Sequence, residues 1–74
     1  MNRQEHLQWA KNRAIEILNT GDIEGAFTSM VSDLNKHSEL SAQHKATNGL
    51  GMQMLLGGHL KTTQQMRGWI EGYN

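Results

Sequence analysis

The chain has 74 residues, seven basic and seven acidic side chains, zero formal net charge, and neither cysteine nor proline. The length suffices for one domain and not for two. The missing cysteines exclude disulfides and thiolate metal sites, and the balanced charge argues against a nucleic-acid binder driven by phosphate neutralisation and against an acidic nucleic-acid mimic.

Residues 2–19 form the first predicted helix. Leu7, Ala10, Ala14, Ile17 and Leu18 recur at helical spacing, with Trp9 and Ile15 beside the stripe. Arg3, Glu5, Lys11, Arg13 and Glu16 fill the other face. The run Asn19-Thr20-Gly21 stops this helix, because glycine takes the left-handed conformation that ends one. Asp22 then serves as an N-cap. Ile23, Ala26, Phe27, Met30, Val31 and Leu34 keep the three-four spacing and predict a second helix over 23–36, with Lys36 and His37 placed in its last turn, where positive charge suits the helix dipole.

A short connector, 37–40, leads to a third helix starting near Ser38 or Ser41 and ending at Gly57-Gly58. Ala42, Ala46 and Gly49 make one small face, with Leu50 and Met54 alongside. Glycine inside a helix costs about 1 kcal/mol against alanine, and close approach of another helix at Gly49 and Gly51 would compensate. Met52, Leu55 and Leu56 lie away from the small face, so the helix is apolar nearly all round, the pattern of a central helix or of one buried between subunits. Thr62 opens the last helix, with Gln65 at capping-box spacing, and Met66, Trp69, Ile70 and Tyr73 form its stripe. The expected fold is all-α: a small bundle of about four short helices. Helices one and two form an antiparallel hairpin about Gly21-Asp22, and helix four caps the core through Met66, Trp69 and Ile70.

The most apolar stretch, 50–60, is interrupted by Gly51, Gln53, Gly57, Gly58 and His59 and is too short to span a bilayer. The first residues are charged and amphipathic, unlike a signal peptide. A cytoplasmic protein is expected.

Candidate chemistry is sparse. His6, His37, His44 and His59, with Asp33 and Glu39, could in principle hold a metal, but only Asp33 and His37 have the local spacing two helical ligands need. That pair reads more simply as a solvated or dipole-satisfying pair at a helix end, so no metal ligand and no cofactor is assigned. Ser29, Ser32, Ser38 and Ser41 include no nucleophile elbow, no paired carboxylates lie in an apolar segment, and the glycine pairs lack the strand and basic residue of a phosphate loop. No catalytic residue is assigned. Trp9, Trp69 and Tyr73 are the aromatic candidates for a binding surface, with Trp69 completing a core stripe and Trp9 at a stripe's edge. Ser29, Asp33, Lys36 and His37 share one side of helix two, as a solvated face or a contact surface.

Two resemblances add to this. The run Asn19-Thr20-Gly21-Asp22-Ile23-Glu24-Gly25-Ala26 resembles the turn of a tetratricopeptide-type helical hairpin, which implies tight pairing of helices one and two. The whole chain resembles small uncharacterised proteins encoded by tailed bacteriophages, through Glu5-His6-Leu7, Gly21-Asp22, Ser32-Asp33-Leu34-Asn35-Lys36-His37, Gly57-Gly58-His59-Leu60 and Trp69-Ile70-Glu71-Gly72-Tyr73-Asn74. That resemblance implies a phage accessory protein acting in the infected host's cytoplasm. Together with the missing catalytic constellation, it leads to the expectation of a non-enzymatic protein that binds and inhibits or redirects a host or defence protein, in the manner of an anti-CRISPR inhibitor. Trp9, Asp33, Lys36, His37 and His59 are the expected partner-binding residues. The alternatives are a structural, self-assembling homo-oligomer using Met52, Leu55 and Leu56, and a small-ligand or metal binder.

Overall fold

The structure, a computed structural model, describes residues 1–74. Four helices follow in order: α1 (Arg3–Leu18), α2 (Ile23–Leu34), α3 (Ser38–Leu56) and α4 (Thr63–Glu71). α1 and α2 share the most extensive packing in the molecule and form a hairpin.

Each helix starts where its sequence supplies acceptors for the unpaired first amides. Asn2 caps α1 in a capping box closed by Glu5, Asp22 caps α2 by accepting from the Gly25 amide, and Thr62 caps α4 with Gln65 returning the bond. α3 is capped by His37, whose Nδ1 accepts from the Leu40 amide over a long 3.4 Å. The ends of α1 and α3 are set by left-handed glycines. Gly21 has φ +89° and closes the α1–α2 turn, and Gly58, at +84°, follows α3. There the His59 amide reaches back to the Met54 carbonyl at 2.8 Å and the Gly58 amide to Leu55 at 3.3 Å, the paired bonds of a Schellman ending.

The core is the meeting of three stripes. Leu7, Ala10, Ala14 and Leu18 come from α1, Ala26, Phe27, Met30 and Leu34 from α2, and Met66 and Ile70 from α4, with Leu40, Leu60 and Tyr73 completing it. The alanines of α1 and α2 are fully buried, which lets these two helices lie close together. Helix four does cap the core through Met66 and Ile70, with Trp69 partly buried against it.

Two expectations need correcting. α2 ends at Leu34, so Lys36 and His37 lie in the turn beyond it and not in its last helical turn. The Lys36 and His37 amides bond back to Asp33 and Leu34 carbonyls, which tightens the chain into a turn and frees both side chains for other work. α3 is not central. Only Leu40, His44 and Gly51 of its residues are buried, because α1, α2 and α4 already close the core among themselves. Gly51 does meet the expected close neighbour: a Cβ there would sit 2.6 Å from Phe27 Cε1 and 2.9 Å from Trp69 Nε1. Gly49 does not, since a Cβ there would meet nothing within 4 Å.

Candidate functional site

The most structured surface of the molecule is built on the α1–α2 hairpin. His6, Trp9 and Arg13 recur along α1 at a spacing of three and four, which puts them on one face. That face meets the end of α2 and the turn after it, which carry Asp33, Lys36 and His37.

Asp33 organises the group. Its side chain is 1% exposed, whereas those of Arg13 and Lys36 are about half exposed. Arg13 Nε donates to Asp33 Oδ2 at 2.7 Å and Lys36 Nζ donates to Oδ1 at 2.9 Å. A buried carboxylate is tolerated only when such charge-assisted bonds replace its hydration. The sequence reading of Asp33 with His37 as a solvated helix-end pair is therefore corrected: Asp33 is buried, and its partners are Arg13 and Lys36. Hairpin packing pushes the end of α2 against α1, and that removes water from this position.

Above the carboxylate lies Trp9. The Arg13 guanidinium carbon is 5.1 Å from the indole centroid and Lys36 Nζ is 5.5 Å from it, both within cation–π range. His6 packs its ring edge-on to Trp9 at 5.1 Å and lies 5.3 Å from His37. His6 Nε2 also donates to the Asp33 main-chain carbonyl at 2.7 Å, so that nitrogen carries the proton. The indole is thus flanked by two cations and a histidine, and those cations are fixed from below by one carboxylate. Two positive charges on one negative charge leave the patch net positive. Both Asp33 oxygens are already engaged by cations.

Four of the expected partner-binding residues, Trp9, Asp33, Lys36 and His37, come together here. His59 does not. It lies exposed in the turn after α3, whereas His37 caps the start of that helix. A helix of 19 residues separates them by about 28 Å. His6 and Arg13 belong to the group and escaped the sequence reading. Their shared face with Trp9 was a visible signal, but Arg13 reaches Asp33 only across the hairpin.

Of the residues expected to mediate self-association, Met52 and Leu56 are exposed, at 45% and 80%. Leu55 is partly buried against the core, because it falls on the same side of α3 as Gly51.

A second polar cluster ties α3 to the end of the chain. His44 is buried, with Nδ1 3.0 Å from the Leu40 carbonyl and Nε2 2.9 Å from the Asn74 carbonyl. Both partners are acceptors, so a neutral ring can donate to only one of them. The Tyr73 hydroxyl donates to Asn48 Oδ1 at 2.8 Å and accepts from Trp69 Nε1 at 3.3 Å. Burial raises the Tyr73 pKa above its usual 10.0, and the bond from Trp69 partly offsets this. The Trp69, Tyr73 and Asn48 side chains satisfy one another and link α4 to α3.

No three histidine, aspartate or glutamate side chains converge as metal ligands would, and no helix is long and apolar enough to cross a membrane. The roomiest surface cavity, about 340 Å³, lies between α2 and α3 and is lined by Phe27, Thr28, Val31, Ser32, Asn35 and Met52. It falls at the small end of the range for ligand pockets, roughly 300–1,000 Å³, and is open to solvent. Comparison of the chain with protein-family models, curated proteins and solved structures finds no match.

Proposed function

We propose that the protein acts by binding another protein through the Trp9 patch, and not by catalysis. The observation that carries this reading is the Trp9 indole flanked by Arg13 and Lys36, with both cations anchored on the buried Asp33. Tryptophan and arginine dominate the energetic centres of protein interfaces. Side chains already fixed in the free protein lose less entropy on association. The net positive charge suits an acidic surface on the partner. The phage resemblance supports a host or defence protein as that partner, inhibited or redirected in the infected cell's cytoplasm.

The test is affinity capture from bacterial lysate, followed by titration of the captured protein against variants. Trp9→Ala should weaken binding about 30-fold or more, the effect of a hot-spot residue. Lys36→Gln, which leaves the core intact, should weaken it about three- to tenfold. The Gln64→Ala variant, exposed on α4 and outside the patch, should bind as wild type does. Binding unaffected by Trp9→Ala and Lys36→Gln, in proteins shown by circular dichroism to be folded, would remove the site.

A further inference from the structure

The outward face of α3 carries Ala42, Ala46, Gly49, Gln53 and Leu56, all exposed. At about 100° per residue these positions fall opposite the buried Leu40, His44 and Gly51. Leu50 and Met52 flank the stripe, 52% and 45% exposed, and Leu56 is 80% exposed. Nothing within the molecule explains a helix-weakening glycine at 49, since a Cβ there would meet open space.

We propose that this face binds a second copy of the chain, with the two α3 helices antiparallel about a two-fold axis at Gly49. The arrangement of residues about that point is self-complementary, as an isologous contact requires. Leu56 and Ala42 lie seven residues on either side of Gly49, and Met52 and Ala46 lie three on either side. Across the axis, the large side chains of one copy come level with the alanines of the other, and the two glycines meet where the backbones approach most closely. The charges are compatible with the same symmetry. Lys45 comes level with the neutral Gln53, four residues on either side, and Glu39, 3.7 Å from Arg3 in its own chain and still largely exposed, comes level with the turn carrying His59 and Lys61. A parallel pair would instead set Leu56 on Leu56, Lys45 on Lys45 and Glu39 on Glu39, leaving gaps at the alanines and like charges together. The antiparallel pair also opposes the two helix dipoles.

The contact uses none of the Trp9 patch, so the two proposals fail separately. Sedimentation equilibrium of the full chain should show a concentration-dependent dimer. Gln53→Glu, facing Lys45 of the second copy twice over, should tighten it about three- to tenfold. Gln53→Lys should loosen it by a similar factor, and adding Lys45→Glu to Gln53→Lys should restore it. The chain has no native cysteine, so Gly49→Cys should crosslink rapidly under mild oxidation, and Ser32→Cys, exposed on α2, should not. A chain that sediments as a monomer up to about 1 mM overturns the proposal. So does a dimer indifferent to the charge at Gln53, or one that crosslinks no faster through Gly49→Cys than through Ser32→Cys. Circular dichroism confirms that each variant is folded before it is scored.

Discussion

Arg13 and Asp33, twenty positions apart in the chain, meet in a 2.7 Å hydrogen bond in which a half-exposed guanidinium satisfies a carboxylate that is 1% exposed. The same guanidinium lies over Trp9. Stability and the proposed contact surface therefore share one ion pair, and a change at Asp33 should act on both.

Asp33→Asn keeps the shape of the side chain but removes the charge that holds Arg13 and Lys36. Both cations can turn to solvent, so the loss should stay below that of stranding a buried charge, about 1–3 kcal/mol. Urea denaturation monitored by circular dichroism measures it. Arg13→Ala should be at least as damaging, because it leaves the buried carboxylate with Lys36 alone. An Asp33→Asn variant as stable as wild type would show that the pair contributes nothing net.

Two glycines two residues apart in α3 should respond in opposite directions. Gly51→Ala drives a methyl into the Phe27 ring and the Trp69 indole and should destabilise by about 1–3 kcal/mol, the range for overpacking. Gly49→Ala meets open space and should stabilise the monomer by about 0.5–1 kcal/mol through better helix propensity and a less flexible unfolded chain. Thermal melts in dilute solution, where any association is minor, compare the two.

Tyr73 predicts how stability ends at alkaline pH. Its folded-state pKa is raised above 10.0 by burial, so the folded protein holds the phenolic proton after the unfolded chain has released it. The contribution is fully present below pH 10 and is lost as pH rises through the folded-state pKa. Tyr73 is the only tyrosine, so near-ultraviolet absorbance of the tyrosinate reports its titration directly. Tyr73→Phe should flatten the alkaline loss and, by leaving Asn48 and Trp69 unpaired, lower stability at neutral pH by about 1–2 kcal/mol.

Ser29 on α2 has a buried hydroxyl oxygen with no hydrogen-bond partner. A buried polar atom left unpaired costs about 1–3 kcal/mol, and alanine is the better helix former. Ser29→Ala should therefore raise the midpoint of urea denaturation, by about 0.5–1.5 kcal/mol in stability. A lower midpoint would mean that the hydroxyl does find a partner in solution.

The helices were legible in the sequence because their signals are local. Asp22 before an apolar stripe, the Thr62–Gln65 pair, and the glycines at 21 and 58 act through neighbours within one turn, and each sets the boundary its chemistry implies. The stripes of α1, α2 and α4 named most of the core for the same reason: periodicity fixes which side chains share a face. Spacing alone predicts α2 two residues too long, because nothing local at Lys36 and His37 opposes a helix.

Tertiary structure alone decided the Arg13–Asp33 pair. No spacing within α2 shows that Asp33 loses its water, since that depends on how far α1 overlaps the end of α2, and no spacing within α1 shows that Arg13 reaches it. The same holds for α3. Its composition announces apolar surface, but whether that surface is buried depends on whether three other helices leave it room. They close the core without it, so Gly51 is pressed against Phe27 while Gly49, Met52 and Leu56 stay on the outside. Burial is a property of the whole packing, and one helix read alone does not contain it.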